Sequence, residues 1–155
     1  MPGIVGFTDI KNKLSIRMLE NMRNSLKHEN DYIDGKLCNF NFFYCTNTKL
    51  PYFKNQSIMN NNICLFFDGE FYNRSELKKK FNFTSKTDIE LFYDIYTKQN
   101  SFDFLIDLDG SFTSVLINKK KNEINLISDR FGFKPLYWSI LNNNLVWSSE
   151  LKGFL

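Results

Sequence analysis

The chain has 155 residues, and its composition of 43% hydrophobic and 24% charged residues is that of a folded domain rather than a disordered segment. The formal net charge of only +3 excludes the strongly basic surface that nucleic-acid- and membrane-binding proteins use. No run approaches 18 apolar residues, so the sequence predicts no transmembrane helix, and three cysteines without metal-like spacing favour a reduced, cytoplasmic protein.

The first 62 residues predict one helix and two strands. A short strand over 4–7 is followed by a helix that starts after Ser15, because apolar residues recur there every three or four positions. The polar segment 29–35 predicts a loop, the aromatic-rich segment 37–45 a strand, and 49–62 an irregular stretch. The apolar residues that define the helix are Ile16, Leu19, Met22 and Leu26.

The next segment predicts a buried strand, a turn and a second helix. The continuous apolar run 63–67 is typical of a buried strand, and residues 68–73 are expected to turn the chain. Asn73 and Glu76 have the spacing of a capping box, which predicts a helix that begins there and continues through Phe81.

The rest of the chain predicts a third helix and then a series of strands. Thr87 and Glu90 repeat the capping-box spacing, and residues 102–107 predict a further short turn of helix. The connections 119–122 and 142–144 contain asparagines, which tolerate left-handed backbone, so both predict tight hairpins. Strands at both ends with helices between them indicate a single α+β domain. The four predicted strands are 112–118, 123–128, 136–141 and 145–149.

Motifs of common catalytic sites are missing from the sequence. It has no phosphate-binding glycine loop, no Cys-x-x-Cys pair, and a single histidine, His28, in a polar stretch where capping of carbonyl groups is its expected role. Cys38 and Cys64 lie in apolar, strand-like runs, where a thiol behaves as a small hydrophobic group. None of these residues by itself predicts a catalytic centre.

Three segments in register are more specific. They are the N-terminal segment 1–7, the segment 67–77 that contains Phe-Asp-Gly-Glu-Phe-Tyr-Asn, and the segment 129–152, which opens with Asp-Arg-Phe-Gly-Phe-Lys-Pro-Leu-Tyr-Trp. In this order and at these distances they resemble the class II glutamine amidotransferase domain of the asparagine synthetase family. The resemblance spans residues 1–155 as one domain and implies an N-terminal-nucleophile hydrolase fold: a four-layer αββα sandwich of two mainly antiparallel sheets.

The resemblance also implies where the chemistry of this family is located. Its nucleophile is a cysteine that follows the initiator Met, and the free α-amine of that cysteine acts as the base. Pro2 occupies that position here, and proline has no nucleophilic side-chain atom. The oxyanion is stabilised by an Asn-Gly pair that corresponds to Asp68 and Gly69, and an aspartate in place of the asparagine replaces a donor by an anion. The resemblance therefore implies a vestigial glutamine pocket without a catalytic residue.

Two further positions concern the binding of glutamine itself. The family holds the glutamine α-carboxylate with an arginine on or beside an early strand, whereas this chain has no arginine between Arg23 and Arg74. Asp88 matches the family residue that holds the glutamine α-amine, and it is equally suited to the N-terminus of a helix. The carboxylate-binding half of the pocket is therefore expected to be lost, while the amine-binding half has a matching residue.

The segment that begins at Asp129 is expected to be architectural or to form an interface. In the family it approaches the downstream ATP-dependent synthetase domain, which this chain is not expected to contain. The residues that carry this expectation are Arg130 and Lys134, which can pair with acids, Gly132, which permits a tight path, and Pro135, which fixes a turn.

These observations predict a catalytically degenerate amidotransferase-like domain. It would support an asparagine-synthetase-like adenylating partner, in cis or in trans, which alone would require ATP and Mg²⁺; this domain is expected to need no cofactor or metal. Family branches that close β-lactam or peptide rings have also lost the cysteine, so natural-product or peptide maturation is a compatible context. Two competing hypotheses stay open: a binding module for amino acids or peptides that reuses the pocket, and a hydrolase that uses the Pro2 amine with Asp68 or Asp88 assisting.

Overall fold

The computed structural model describes residues 3–9, 16–51 and 56–155. Nine strands and three α-helices are found in this part of the chain, together with two short 3₁₀ helices. The strands are β1 Ile4–Thr8, β2 Ile33–Phe40, β3 Phe43–Lys49, β4 Ser57–Met59, β5 Ile63–Phe71, β6 Gly110–Asn118, β7 Glu123–Ser128, β8 Tyr137–Leu141 and β9 Asn144–Ser148. The helices are α1 Ile16–Ser25, α2 Arg74–Phe81 and α3 Asp88–Gln99, and the 3₁₀ helices are Asp103–Asp107 and Leu151–Phe154.

The strands form two antiparallel sheets packed face to face. The five-stranded sheet has the order β2-β3-β1-β9-β8, and the four-stranded sheet has the order β4-β5-β6-β7. Helix α1 packs on the outer face of the first sheet, and α3 packs on the outer face of the second. The arrangement is therefore the expected four-layer αββα sandwich.

The alternation of side chains along β5 explains why both faces of this strand are buried. Cys64 and Phe66 point into the core between the sheets, which they share with Trp147 of β9. Leu65 and Phe67 point the other way, into the core beneath α2 and α3. Because successive side chains of a strand face opposite sides, a continuous apolar run is needed where both sides are covered.

The predicted helices are confirmed, with one change at α1. Leu19, Met22 and Leu26 are buried against the five-stranded sheet, as their spacing indicates. Ile16 is 43% exposed and does not join them. It is the first residue of the helix, so no further turn holds it against the sheet.

The prediction of one strand over 37–45 is wrong, because this segment contains a hairpin. Strand β2 already begins at Ile33, inside the predicted loop, and the chain reverses at Asn41 and Phe42 before β3. Asn41 has a φ of +50°, a left-handed conformation that asparagine adopts more readily than most residues. The aromatic run on both sides of Asn41 concealed the turn. The irregular stretch likewise contains the three-residue strand β4.

The predicted turn at 68–73 is also wrong for its first four residues. Strand β5 continues through Phe71, and Asp68, Gly69 and Glu70 remain paired with β6. The strand tolerates this segment because Gly69 adopts a φ of +140°, which few other residues adopt. The chain turns only after Phe71.

One of the two predicted capping boxes forms. Thr87 accepts a hydrogen bond from the Glu90 backbone N–H at 3.3 Å, while the Glu90 carboxylate accepts one from the Thr87 N–H at 3.1 Å. Asn73 precedes α2, but its side chain makes no capping bond to the helix. It donates to the carbonyl of Asp107 and accepts from the N–H of Asp109 instead. The competing partners come from a segment more than 30 residues away, which local spacing does not reveal.

The ends of the four C-terminal strands, β6 to β9, lie within two residues of the predicted bounds. The β6–β7 and β8–β9 connections are tight hairpins with left-handed asparagines at Asn122, Asn142 and Asn143. In the part of the chain that the structure describes, no helix has the length and apolar character of a membrane span.

Candidate functional site

The start of β1 is fixed at the centre of the five-stranded sheet. The Gly3 N–H donates to the Thr48 hydroxyl at 2.9 Å, and the Ile4 N–H donates to the Ser149 hydroxyl at 3.0 Å. A Cβ atom on Gly3 would lie 2.5 Å from a methyl carbon of Leu26 and 2.9 Å from the Ser149 hydroxyl, so a side chain here would require both neighbours to shift. Pro2, the residue at the predicted nucleophile position, lies outside the described residues.

Asp68 forms a buried ion pair with Lys134. The Lys134 Nζ atom lies 2.8 Å from Asp68 Oδ2, and the two side chains are 20% and 9% exposed. Burial raises the pKa of Asp68, and the ammonium of Lys134 opposes this rise. The carboxylate at the position predicted to correspond to the family's oxyanion donor is therefore paired with a cation.

Gly69 is required by the close approach of β6. A Cβ atom at this position would lie 2.2 Å from the Ser111 carbonyl oxygen and 2.5 Å from the Phe112 Cα atom. Both neighbours are backbone atoms, so a rotamer change cannot relieve the clash. The close approach of the two strands therefore requires glycine at position 69, directly after Asp68 in β5.

Asp88 is the first residue of α3 and holds the end of β5. Its Oδ2 atom accepts a hydrogen bond from the Phe71 N–H at 3.2 Å, and its Oδ1 atom lies 3.5 Å from the guanidinium of Arg74. Burial raises the pKa of Asp88, and the Phe71 N–H and Arg74 oppose this rise. The structure thus brings Asp68, Gly69 and Asp88 to the same end of β5.

The two arginines that flank the arginine-free stretch are bound to carboxylates. Arg23 on α1 lies 2.9 Å from Asp34, and Arg74 is the partner of Asp88. Strand β3, which pairs with β1, has no arginine in its sequence and places Thr46 opposite Val5. The early strand beside β1 therefore supplies no guanidinium for a carboxylate ligand.

Asp129 organises the loop that carries Lys134, a role that its position in the sequence does not indicate. The carboxylate accepts backbone hydrogen bonds at 3.0–3.3 Å from four N–H groups, those of Phe112, Phe131, Phe133 and Lys134. Although burial would raise the pKa of Asp129, these donors lower it below its ordinary value. An aspartate followed by Gly132 and Pro135 is the only sequence signal for this loop.

The remaining residues of the Asp129 loop have simpler surroundings. Arg130 donates to the Ile106 carbonyl at 3.2 Å. Gly132 has a φ of +66° and open space where a Cβ atom would be. Pro135 lines an open cavity of about 560 Å³ with His28 and Glu150, whose side chains are hydrogen-bonded at 2.7 Å. His28 thus contacts a carboxylate rather than helix carbonyl groups.

Large apolar side chains are exposed on the Asp129 loop and on β8. Phe131 is 74% exposed, Phe133 67% and Trp138 61%. Strand β8 lies at one end of its sheet in the strand order of the described residues. We call the exposed set the aromatic patch; it consists of Phe131, Phe133, Tyr137, Trp138 and Ile140. Exposed apolar side chains grouped on neighbouring segments are characteristic of an interaction surface.

Comparison with known proteins places these features in context. A sequence profile described as a glutamine amidotransferase domain matches residues 48–155, more than half of the chain. A glutamine-hydrolysing asparagine synthetase of Asparagus officinalis is 30% identical over 162 aligned residues, which cover 97% of this chain and 27% of that protein. Asparagine synthetase 2 of Bacillus subtilis is 34% identical over 94 residues, 59% of this chain and 12% of that protein. The chain spans less than a third of the length of either relative.

A solved structure shows the same fold. Glutamine phosphoribosylpyrophosphate amidotransferase of B. subtilis superimposes with a TM-score of 0.72 over 98% of this chain and 42% of that one, at 15% sequence identity. The fold expected from the three sequence segments, the N-terminal-nucleophile hydrolase sandwich, is therefore confirmed.

Proposed function

This chain belongs to the glutamine amidotransferase domain family and is related to the asparagine synthetases, and from that premise we propose that it is a catalytically degenerate member. In this proposal it releases no ammonia from glutamine and supports an asparagine-synthetase-like, ATP-dependent amide-forming enzyme. The observation that carries the proposal is the ion pair between Asp68 and Lys134 at the oxyanion position.

The chemistry of acyl transfer explains why this pair argues against glutaminase activity. A tetrahedral intermediate develops negative charge, which hydrogen-bond donors stabilise and a carboxylate repels. The ammonium of Lys134 has three N–H donors, but the Asp68 carboxylate at 2.8 Å offsets its positive charge. Pro2 offers no thiol or hydroxyl, and strand β3 offers no arginine for the glutamine α-carboxylate. In this proposal, the nucleophile, the stabilisation of the oxyanion and the binding of the substrate are therefore all altered.

A glutaminase assay on the purified chain tests this half of the proposal. We expect glutamate release from glutamine to equal that of a heat-denatured sample. Intact-mass spectrometry of the same preparation shows whether Met1 is removed. Glutamate release clearly above the denatured control, from chains that lack Met1, would support a hydrolase that uses the Pro2 amine. Retained Met1 would exclude that hydrolase, because the Pro2 nitrogen would then be an amide.

The partner half of the proposal is supported by the aromatic patch. Asp129 fixes the backbone of the loop that presents Phe131 and Phe133, so these rings are displayed by an ordered segment. In our proposal the patch docks on a synthetase-like domain or protein in the cytoplasm. That partner would bind ATP and Mg²⁺, and this chain would hold neither.

Affinity purification of the tagged chain from its source cells tests the partner. We expect a protein with a Ser-Gly-Gly-x-Asp-Ser pyrophosphate loop to co-purify, and the double variant Phe131→Ser/Phe133→Ser to lose it. Ile33→Ser is the matched control, because Ile33 is 41% exposed on β2, at the other end of the same sheet. Equal recovery of the partner with all three chains, or recovery of none, would contradict the docking role.

The geometry of Asp88 favours a second candidate function, a binding module for amino acids or peptides. Its carboxylate is mostly buried, and its guanidinium partner stands 3.5 Å away, at the limit of a hydrogen bond. An amine-bearing ligand could compete for such an acceptor. A thermal-shift screen of amino acids tests this, since a ligand at 100 times its Kd stabilises by about 2.7 kcal/mol. The absence of a shift with any amine-bearing ligand would contradict it.

A further inference from the structure

Two cysteine thiols face each other across the interface between the sheets. Cys38 lies on β2 of the five-stranded sheet, and Cys64 lies on β5 of the four-stranded sheet. Their Sγ atoms are 2.8 Å apart, and both residues are buried in the same core cluster. The two residues are 26 positions apart in the sequence, so the contact is created by the stacking of the sheets.

The separation of the two sulfurs leaves little movement for a covalent bond. A disulfide requires an S–S distance of about 2.0 Å, so an approach of less than about 1 Å is needed. Rotation about the side-chain torsions supplies displacements of this size without a change of strand register. The third cysteine, Cys45, lies opposite Cys38 on the neighbouring strand β3, and Cys38 directs its thiol to Cys64.

The surroundings of Cys64 favour its thiolate. The hydrogen bond from Cys38 and the nearby ammonium of Lys119 lower the pKa of Cys64, although burial opposes this. The same contact and burial raise the pKa of Cys38, which keeps its proton. Burial raises the pKa of Cys45 as well, so Cys45 remains a thiol. Cys64 is therefore the sulfur of the pair that reacts first with an oxidant.

The thiol pair lies near one end of the sandwich, with exposed residues close to it in the sequence. Cys64 is the second residue of β5 and lies two positions after the exposed Asn62. Lys119, which is half-buried, extends over the Phe40 ring at 5.4 Å and donates to the Asn60 carbonyl. Strand β2, which carries Cys38, lies at one end of its sheet in the strand order, and both sequence neighbours of Cys38 are exposed. The two thiols are at most 1% exposed, so an oxidant reaches them through local opening at this end of the sandwich.

We propose that Cys38 and Cys64 form an intersheet disulfide when the chain meets a peroxide. The Cys64 thiolate attacks one peroxide oxygen, the O–O bond breaks, and Cys64 becomes a sulfenic acid while hydroxide leaves. The Cys38 sulfur then attacks the Cys64 sulfur; the S–O bond breaks, and the hydroxyl leaves as water with the proton of Cys38. Two thiols are oxidised to one disulfide, and the peroxide is reduced to two waters.

Thiol counting and peptide mapping on the native full chain test this modification. After hydrogen peroxide treatment and alkylation in denaturant, we expect the number of free thiols to fall from three to one. Non-reducing trypsin digestion should link the peptide 37–49 to the peptide 55–74, because cleavage follows Lys36, Lys49, Lys54 and Arg74. Dithiothreitol should restore all three thiols.

A matched control identifies which cysteine of the peptide 37–49 is used. Cys45→Ala should still lose two thiols and give the linked peptides, whereas Cys38→Ala and Cys64→Ala should not. The wild-type melting temperature should rise by roughly 5–10 °C on oxidation, because the cross-link restricts the unfolded chain. Three free thiols after treatment, a link through Cys45, or an oxidised but unlinked Cys64 would each overturn the proposal. If an alanine variant fails to fold, fragmentation of the linked wild-type peptides by tandem mass spectrometry assigns the bond to Cys38 or to Cys45.

Discussion

Replacing Lys134 with methionine should destabilise the fold by leaving the Asp68 carboxylate without its cation. The Asp68 side chain is only 9% exposed, so water cannot take the place of the ammonium. Removal of one partner from a buried ion pair costs about 3–5 kcal/mol. Because Lys134 is 20% exposed, we expect the free energy of unfolding to fall by about 3 kcal/mol, at the lower end of this range. For a domain of this size, that change lowers the melting temperature by roughly 6–12 °C.

The pH dependence of this loss follows from the pKa of Asp68. Burial already raises the pKa of Asp68 in the folded chain, and removal of Lys134 raises it further. A carboxyl group with a raised folded-state pKa contributes stability below its unfolded pKa of about 3.9 and loses it as the pH rises through the folded pKa. The cost of Lys134→Met should therefore be small near pH 4 and reach its full value above the folded pKa.

Urea denaturation followed by tryptophan fluorescence measures this effect at about pH 4.5 and pH 7.5. The control is the double variant Asp68→Asn/Lys134→Met, which removes both charges and should be more stable than Lys134→Met at the higher pH. An equal loss at both pH values would refute the reasoning. So would a double variant that is as unstable as the single one.

Three further predictions concern the elements around the site. Thr87→Ala should lower the free energy of unfolding by about 1 kcal/mol in urea titrations, because α3 loses its cap, and an unchanged midpoint would contradict the capping role. Gly69→Ala should reduce the yield of folded protein or lower its melting temperature by more than about 10 °C, since the added Cβ meets backbone atoms. Gly132→Ala should cost only about 1 kcal/mol of stability, because its Cβ meets open space and only the left-handed backbone is unfavourable. Equal effects of the two substitutions would contradict the close approach of β6 at Gly69. Asp129→Asn should cost roughly 2–4 kcal/mol near neutral pH by removing charge-assisted hydrogen bonds. Because the folded-state pKa of Asp129 is lowered, the stability that its carboxylate contributes is lost as the pH falls through that pKa. Urea titrations should therefore show a smaller difference in unfolding free energy between wild type and Asp129→Asn in acid than at neutral pH. A difference that does not change with pH would contradict this role of Asp129.

Local sequence signals predicted the elements whose residues act within one helix, strand or hairpin. The capping box of Thr87 and Glu90 and the asparagine hairpins after β6 and β8 depend on neighbours a few residues away, which the sequence displays directly. Asn73 carried a similar signal but bonds to Asp107 and Asp109, which only the tertiary structure brings near. Local spacing fails wherever a distant segment offers the same side chain a competing partner.

At the candidate site, the sequence by itself determined which chemical groups are present. The family resemblance places Pro2 at the position of the nucleophile and Asp68 at the position of a donor, and the stretch between Arg23 and Arg74 contains no guanidinium. These are properties of residue identity and need no coordinates.

Only the tertiary structure decided which groups neutralise or contact one another. Asp68 is separated from Lys134 by 66 positions and Cys38 from Cys64 by 26, yet each pair meets at 2.8 Å. The ion pair meets because Asp129 folds its loop back towards β5, and the thiols meet because the two sheets stack. A charge or a thiol in a sequence acquires its partner, and hence its pKa and reactivity, from packing between segments that the linear order keeps apart.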